Sequence, residues 1–173
     1  MFRVLWLTDL HLNFLTAADR DDWLASLARE EASAVIISGD IGEALDLVEQ
    51  LGAIGRSITA PTYFVLGNHD FYRGQFQQVR RSVRLFCANH ATLRYLTVGD
   101  ADELAPGVGI VGHDGWADAR LGDYDHSLVQ VNDFRLIQDL ISLSTTDRKR
   151  MLAMRCSRCT AGSIRAGWLG SVK

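Results

Sequence analysis

The sequence predicts an α/β fold, with a mostly parallel sheet layered with helices, on three observations. Apolar runs of strand length at 4–7, 34–37 and 63–66 alternate with segments of helical periodicity. Each run stops at a short polar piece: Asp9-Leu10-His11, Gly39-Asp40 and Gly67-Asn68-His69-Asp70. The composition is globular, with 47% hydrophobic and 23% charged residues in 173. Strands and helices alternating at this length imply right-handed βαβ units.

The elements follow in order. Residues 2–8 read as a buried strand, with five of seven positions apolar. Residues 16–33 have helical character, with Asp21 and Asp22 near the start and Trp23, Leu24, Leu27 and Ala28 at helical spacing. A second strand covers 34–38. Leu47, Val48, Leu51 and Ile54 share a face and predict a helix over 43–54. Residues 61–66 form the third strand, and Gly67-Asn68 breaks it. A helix over 72–89 turns Phe76, Val79, Val83 and Phe86 inward and Arg80, Arg81 and Arg84 outward. The stretches 95–98 and 108–112 flank a loop with Pro106-Gly107 and suggest a strand pair. Helices are expected over 133–143 and from 147 to 154.

The net charge of −3 conceals a split. Residues 1–147 hold 11 Lys and Arg against 21 Asp and Glu, whereas 148–173 hold seven basic residues and no acid. A break that sharp marks a change of segment type, so 1–147 read as a domain and 148–173 as a basic, atypical tail. No apolar stretch reaches the roughly 20 residues of a membrane helix. Three cysteines give no disulfide framework, and a reducing cytoplasm is the default localisation. Clustered Arg and Lys could bind nucleic acid, but the tail lacks aromatic interleaving beyond Trp168 and the body is acidic. Nucleic acid is therefore not expected as a partner, and neither is a membrane.

The polar pieces carry the chemistry. Segments leaving parallel strands at one edge converge on a crevice, and Asp and His together suit divalent cations. In an extended segment Asp9 and His11 face the same side and can grip one metal ion. Taken singly each piece has a bland alternative: a polar strand end, a helix cap at Asp40, an Asn-His turn at Asn68. All three directly after strands, at the intervals of a βαβαβ layout, favour a site.

With these residues in place the sequence resembles the calcineurin-like metallophosphoesterases, whose signature opens D-x-H, G-D and G-N-H-[DE]. The resemblance covers about the first 70 residues closely. It implies a metallophosphoesterase-like sheet and hydrolysis of phosphoesters by water activated at a dinuclear centre. It makes Asp9 and His11 ligands of the first metal, Asp40 the bridging carboxylate and Asn68 a ligand of the second. His69 would sit beside the metals as the catalytic histidine, stabilising or protonating the departing alkoxide. Glu43 occupies the spacing from Asp40 at which some members orient this histidine, with exposure on a helix surface as its other reading. The cofactors would be two divalent ions among Mn, Fe, Zn, Co or Ni. The substrate would be a small phosphoester, a nucleotide or a phosphoprotein.

The family's later blocks, an isolated His and G-H-x-H, are absent. After His69 only His90, His113 and His126 remain. Gly112-His113-Asp114-Gly115 comes nearest, and His113 is a conceivable substitute ligand. His90 and His126 read as surface residues. Cys156-Ser157-Arg158-Cys159 has no second pair and no strand before it, which argues against a zinc or redox site. The tail's charge reversal and lost periodicity read as an out-of-frame ending or a truncated product. Such an ending leaves the domain incomplete at its C-terminus, with a sheet edge and apolar faces exposed. The alternative to an enzyme is then a non-catalytic remnant with weak or no metal binding.

Overall fold

Strands β1 (Val4–Leu7), β2 (Ala34–Ser38), β3 (Thr62–Val65) and β4 (Leu93–Tyr95) form a parallel sheet in that order. The computed structural model describes residues 1–98, 101–115 and 122–160, the side chains of 98 and 154–160 excepted. Leu7 pairs with Ile37, Ile37 with Phe64, and Phe64 with Tyr95. This register puts the four residues in one row, where Phe64 and Tyr95 stack at 5.4 Å. It also ends the first three strands nearly level, so the loops after Leu7, Ser38 and Val65 leave the sheet at one edge. β1 is an edge strand, and its Val4 and Trp6 are exposed (42% and 71%).

Helices α1 (Ala17–Ala28), α2 (Leu47–Ser57) and α3 (Phe76–Cys87) connect the strands. The Thr16 hydroxyl caps α1 by accepting from Asp19 N and donating to the Asp19 carboxylate. Buried Arg20 joins α1 to α2, donating to Glu49 at 3.0 Å and Gln50 at 3.1 Å. α2 starts four residues later than its periodicity predicts. Asp46 Oδ1 accepts Glu43 N–H, which folds 43–46 into a turn ahead of the helix. α3 buries Phe76, Val79 and Val83 as expected. Arg80 is a correction, because it does not point outward. It is half-buried, donates to Asp114 at 2.9 Å and lies over the Phe71 ring.

The predicted pairing of 95–98 with 108–112 is also corrected. Residues 93–95 extend the main sheet as β4, and 96–98 form a 3-10 turn. The hairpin instead joins β5 (Asp102–Ala105) to β6 (Val108–Ile110). Pro106 and Gly107, with Gly107 at φ +76°, make a two-residue turn that leaves no room for a more distant first strand. Leu104 and Ile110 of the hairpin pack against Ala34, Tyr63 and Leu96.

The helix predicted over 133–143 is two short helices, α4 (Asp133–Leu136) and α5 (Gln138–Ile141), broken at fully buried Ile137. The break frees Leu136 O to accept Arg73 N–H, and lets Gln138 N–H donate to Gly74 O. These two bonds fasten the segment beside the loop after β3.

The chain divides into two compact units, one of residues 1–114 and 130–142, the other of 115–129 and 143–173. The second contains α6 (Thr145–Thr160), capped by Ser144, whose hydroxyl accepts Asp147 N–H. Lys149 of α6 pairs with Asp125. α6 runs across residue 148, where the charge balance changes. The Cys156 and Cys159 side chains and residues 161–173 lie outside the described set. No helix among the described residues is long and apolar enough to cross a membrane.

Candidate metal centre

The loops after β1 and β2 are zipped together beyond the strands. Asp9 N–H donates to Gly39 O, His11 N–H to Asp40 O at 2.8 Å, and Leu12 N–H to Ile41 O at 2.9 Å. Asp9, His11 and Asp40 all have positive φ, at 53°, 43° and 53°. The extended D-x-H segment expected from sequence is therefore corrected to a left-handed turn. Such backbone is unfavourable by roughly 1–2 kcal/mol per non-glycine residue, and the inter-loop bonds hold it. Strain of this kind concentrates where side-chain placement serves a function.

Two glycines let the loops after β2 and β3 touch. A Cβ on Gly67 would stand 2.1 Å from Asp40 Oδ1, and one on Gly39 would stand 2.4 Å from Gly67 N. Asp70, 0% exposed, locks the contact. Its carboxylate accepts four backbone N–H groups: Asp40 and Gly67 on Oδ2, Ile41 and Gly42 on Oδ1, all at 2.8–2.9 Å. Burial pushes its pKa up to about 7, against the pull of these donors. The last residue of G-N-H-D thus fixes the backbone of the aspartate in G-D.

These constraints bring three predicted site residues together. Ligand atoms of His11, Asp40 and His69 all lie within 4.8 Å of one another. The two imidazole rings meet edge-to-face at 4.7 Å, and His69 also packs on Tyr72. Asp40 Oδ1 accepts His69 N–H at 3.0 Å, and burial raises the Asp40 pKa. Asp9 is exposed, accepts the Thr8 hydroxyl and stands outside the three-residue cluster. Asn68 is held by Asp133, through a bond of 2.7 Å from Nδ2 to Oδ1. Glu43 pairs with Arg73, and among the described residues it makes no bond to the His69 ring.

The residues fit a divalent ion. His11 Nδ1 is buried without a hydrogen-bond partner among the described residues, a state that a coordinate bond would relieve. The His11 imidazole and the Asp40 carboxylate suit a borderline cation, with the His69 ring beside them. The later histidines do not join the cluster. His90 is half-buried, stacks on Phe86 and bonds its carbonyl, rather than lying loose on the surface. His126 is exposed beside Asp123, and His113 is exposed.

Sequence reasoning weighed His113 and passed over its neighbour. Asp114 is 1% exposed and accepts Leu66 N–H at 2.8 Å, Arg80 Nε at 2.9 Å and the Thr97 and Tyr95 hydroxyls. It anchors the end of β3 immediately before Gly67. Asp114→Asn removes the charge facing Arg80 and sets an amide N–H2 against these donors. We expect a loss of about 2–3 kcal/mol of unfolding free energy. Urea denaturation measures it, and a change below about 0.5 kcal/mol, the size of an ordinary surface substitution, would contradict the assignment.

A family model described as calcineurin-like phosphoesterase matches residues 2–154. The chain belongs to the calcineurin-like phosphoesterase family. Its fold is similar to that of a phosphopantetheinyl hydrolase from Mycobacterium tuberculosis, with a TM-score of 0.65 at 14% sequence identity. The superposition covers 92% of this chain and 62% of that one, so this chain spans less than two thirds of the hydrolase's length. No curated protein matches the chain.

Proposed function

We propose that this protein hydrolyses phosphoester bonds at a dinuclear centre held by Asp9, His11, Asp40 and Asn68, with His69 as its catalytic histidine. The observation that carries this reading is the convergence of His11, Asp40 and His69 within 4.8 Å, with His11 Nδ1 buried and without a hydrogen-bond partner among the described residues. Divalent ions bound there would polarise phosphate oxygens and supply water of lowered pKa. Asp40 has one oxygen on His69 N–H, and among the described residues its other oxygen accepts no hydrogen bond, which suits a bridging carboxylate. The His69 backbone is fastened to Asp40 and its ring rests between His11 and Tyr72. That placement lets the ring give a proton to a departing alkoxide. Small phosphoesters, nucleotides and phosphoproteins are the substrate classes that suit such a centre.

The test is turnover of p-nitrophenyl phosphate and its bis ester in Mn²⁺, with elemental analysis of the purified protein. Wild type should carry two metals, and His69→Ala should keep them while losing turnover by roughly 10²–10⁴-fold. Loss of metal along with turnover would make His69 a ligand and overturn its role as proton donor. A second reading, a non-catalytic remnant, is favoured by the absence of His90, His113 and His126 from the cluster. One metal or fewer per chain, with no turnover above His69→Ala, would select it.

A further inference from the structure

Asp133 stands 6% exposed beside Asn68, 65 residues earlier in the chain, because the break at Ile137 fastens its segment there. Its Oδ1 lies 2.7 Å from Asn68 Nδ2 and 2.8 Å from the Tyr72 hydroxyl. An ionised carboxylate only accepts hydrogen bonds. The Asn68 atom facing it is therefore the amide nitrogen. That nitrogen is also 3.3 Å from the Tyr72 hydroxyl oxygen, so the amide nitrogen, the hydroxyl and the carboxylate oxygen form one compact hydrogen-bonded triangle. The amide oxygen, on the other branch of the side chain, accepts no bond among the described residues.

We propose that Asp133, assisted by Tyr72, is a positioning residue that fixes the Asn68 amide with its oxygen free for a divalent metal ion. This rests on the metal-centre reading above and adds the group that makes neutral Asn68 an oxygen donor. The two ends of an amide are almost the same size, so shape alone does not choose between them. Asp133 chooses by repelling the oxygen and accepting the N–H. Donation to a carboxylate also raises the electron density on the amide oxygen. With Asp133 gone, the amide is free to turn its N–H2 toward the cation, where it cannot ligate.

The test uses the full chain, Mn²⁺ titration calorimetry, and the Asn68 side-chain ¹⁵N–¹H signals of metal-free protein. Asp133→Ala should weaken Mn²⁺ binding roughly 10–100-fold and move both Asn68 proton signals toward those of a free amide. Asp133→Asn should fall between wild type and Asp133→Ala, because its oxygen can accept from the same donors but its own amide can also turn and offer N–H2 to the Asn68 oxygen. Wild-type affinity in Asp133→Ala, or unmoved Asn68 signals, would overturn the proposal. Should Asp133→Ala not fold, Tyr72→Phe carries the test. It should shift the Asn68 amide proton signals and lower affinity, and no change in either would be equally fatal. If wild type takes up no Mn²⁺, the metal-centre reading fails, and the Asn68 signals alone decide whether Asp133 holds the amide.

Discussion

Asp70→Ala is expected to remove roughly 5 kcal/mol or more of folding free energy, enough to leave much of the protein unfolded at room temperature. Four backbone N–H groups end on this one fully buried carboxylate. Each donor orphaned in a dry site costs about 1–3 kcal/mol, and water admitted to the gap recovers part of that. Asp70→Asn should be milder, because its oxygen still serves two donors while its N–H2 opposes the rest. The comparison is best made at pH 8, above the raised pKa of about 7, where the wild-type carboxylate is ionised. Urea unfolding followed by circular dichroism reads both variants. A loss under 1 kcal/mol for Asp70→Ala would show that the loops hold together without it.

The Asp70 result bears on what the sequence made legible. Repeated strand-loop units, each closed by a motif, were readable because the signals are local. β2 occupies residues 34–38 as its apolar run predicts, and Phe76, Val79 and Val83 point inward as their spacing requires. The convergence of the three motifs was legible because a parallel sheet in near-level register must bring their loops to one edge. The route was less visible. Side-chain spacing in D-x-H suggested an extended pair, whereas bonds to the neighbouring loop impose positive φ on both residues.

Residues whose roles depend on distant contacts left no local signal. Asp133 looked like the first residue of a longer helix, and only the Ile137 break, made by pairing with 73–74, brings it to Asn68. Asp114 was hidden behind the more conspicuous His113. Arg80 sits at an outward position of α3, yet it is drawn down because Asp114 is buried beneath it. A buried carboxylate is a sign in retrospect only, since no spacing rule distinguishes Asp114 from the exposed acids of the same chain.

Asp40→Asn should separate stability from function more cleanly than any other substitution. The amide is isosteric with the carboxylate, and its oxygen can still accept His69 N–H, now 3.0 Å from Asp40 Oδ1. Burial already disfavours the ionised form, so its pKa is raised and removing the charge relieves a desolvation penalty. The metal-free variant should therefore unfold within about 1 kcal/mol of wild type, and any larger change should be stabilising. Metal binding should move the other way. Asp40 is the single carboxylate in the three-residue cluster, and an amide cannot offset the charge of two cations. Mn²⁺ affinity should fall at least about 100-fold, the upper end of what losing a mere outer partner costs, and turnover should fall with it. Calorimetric titration alongside urea unfolding measures both. An Asp40→Asn protein that binds Mn²⁺ like wild type would place the metal elsewhere, whereas one that is equally stable and metal-free would make Asp40 a residue kept for chemistry at the expense of its own burial.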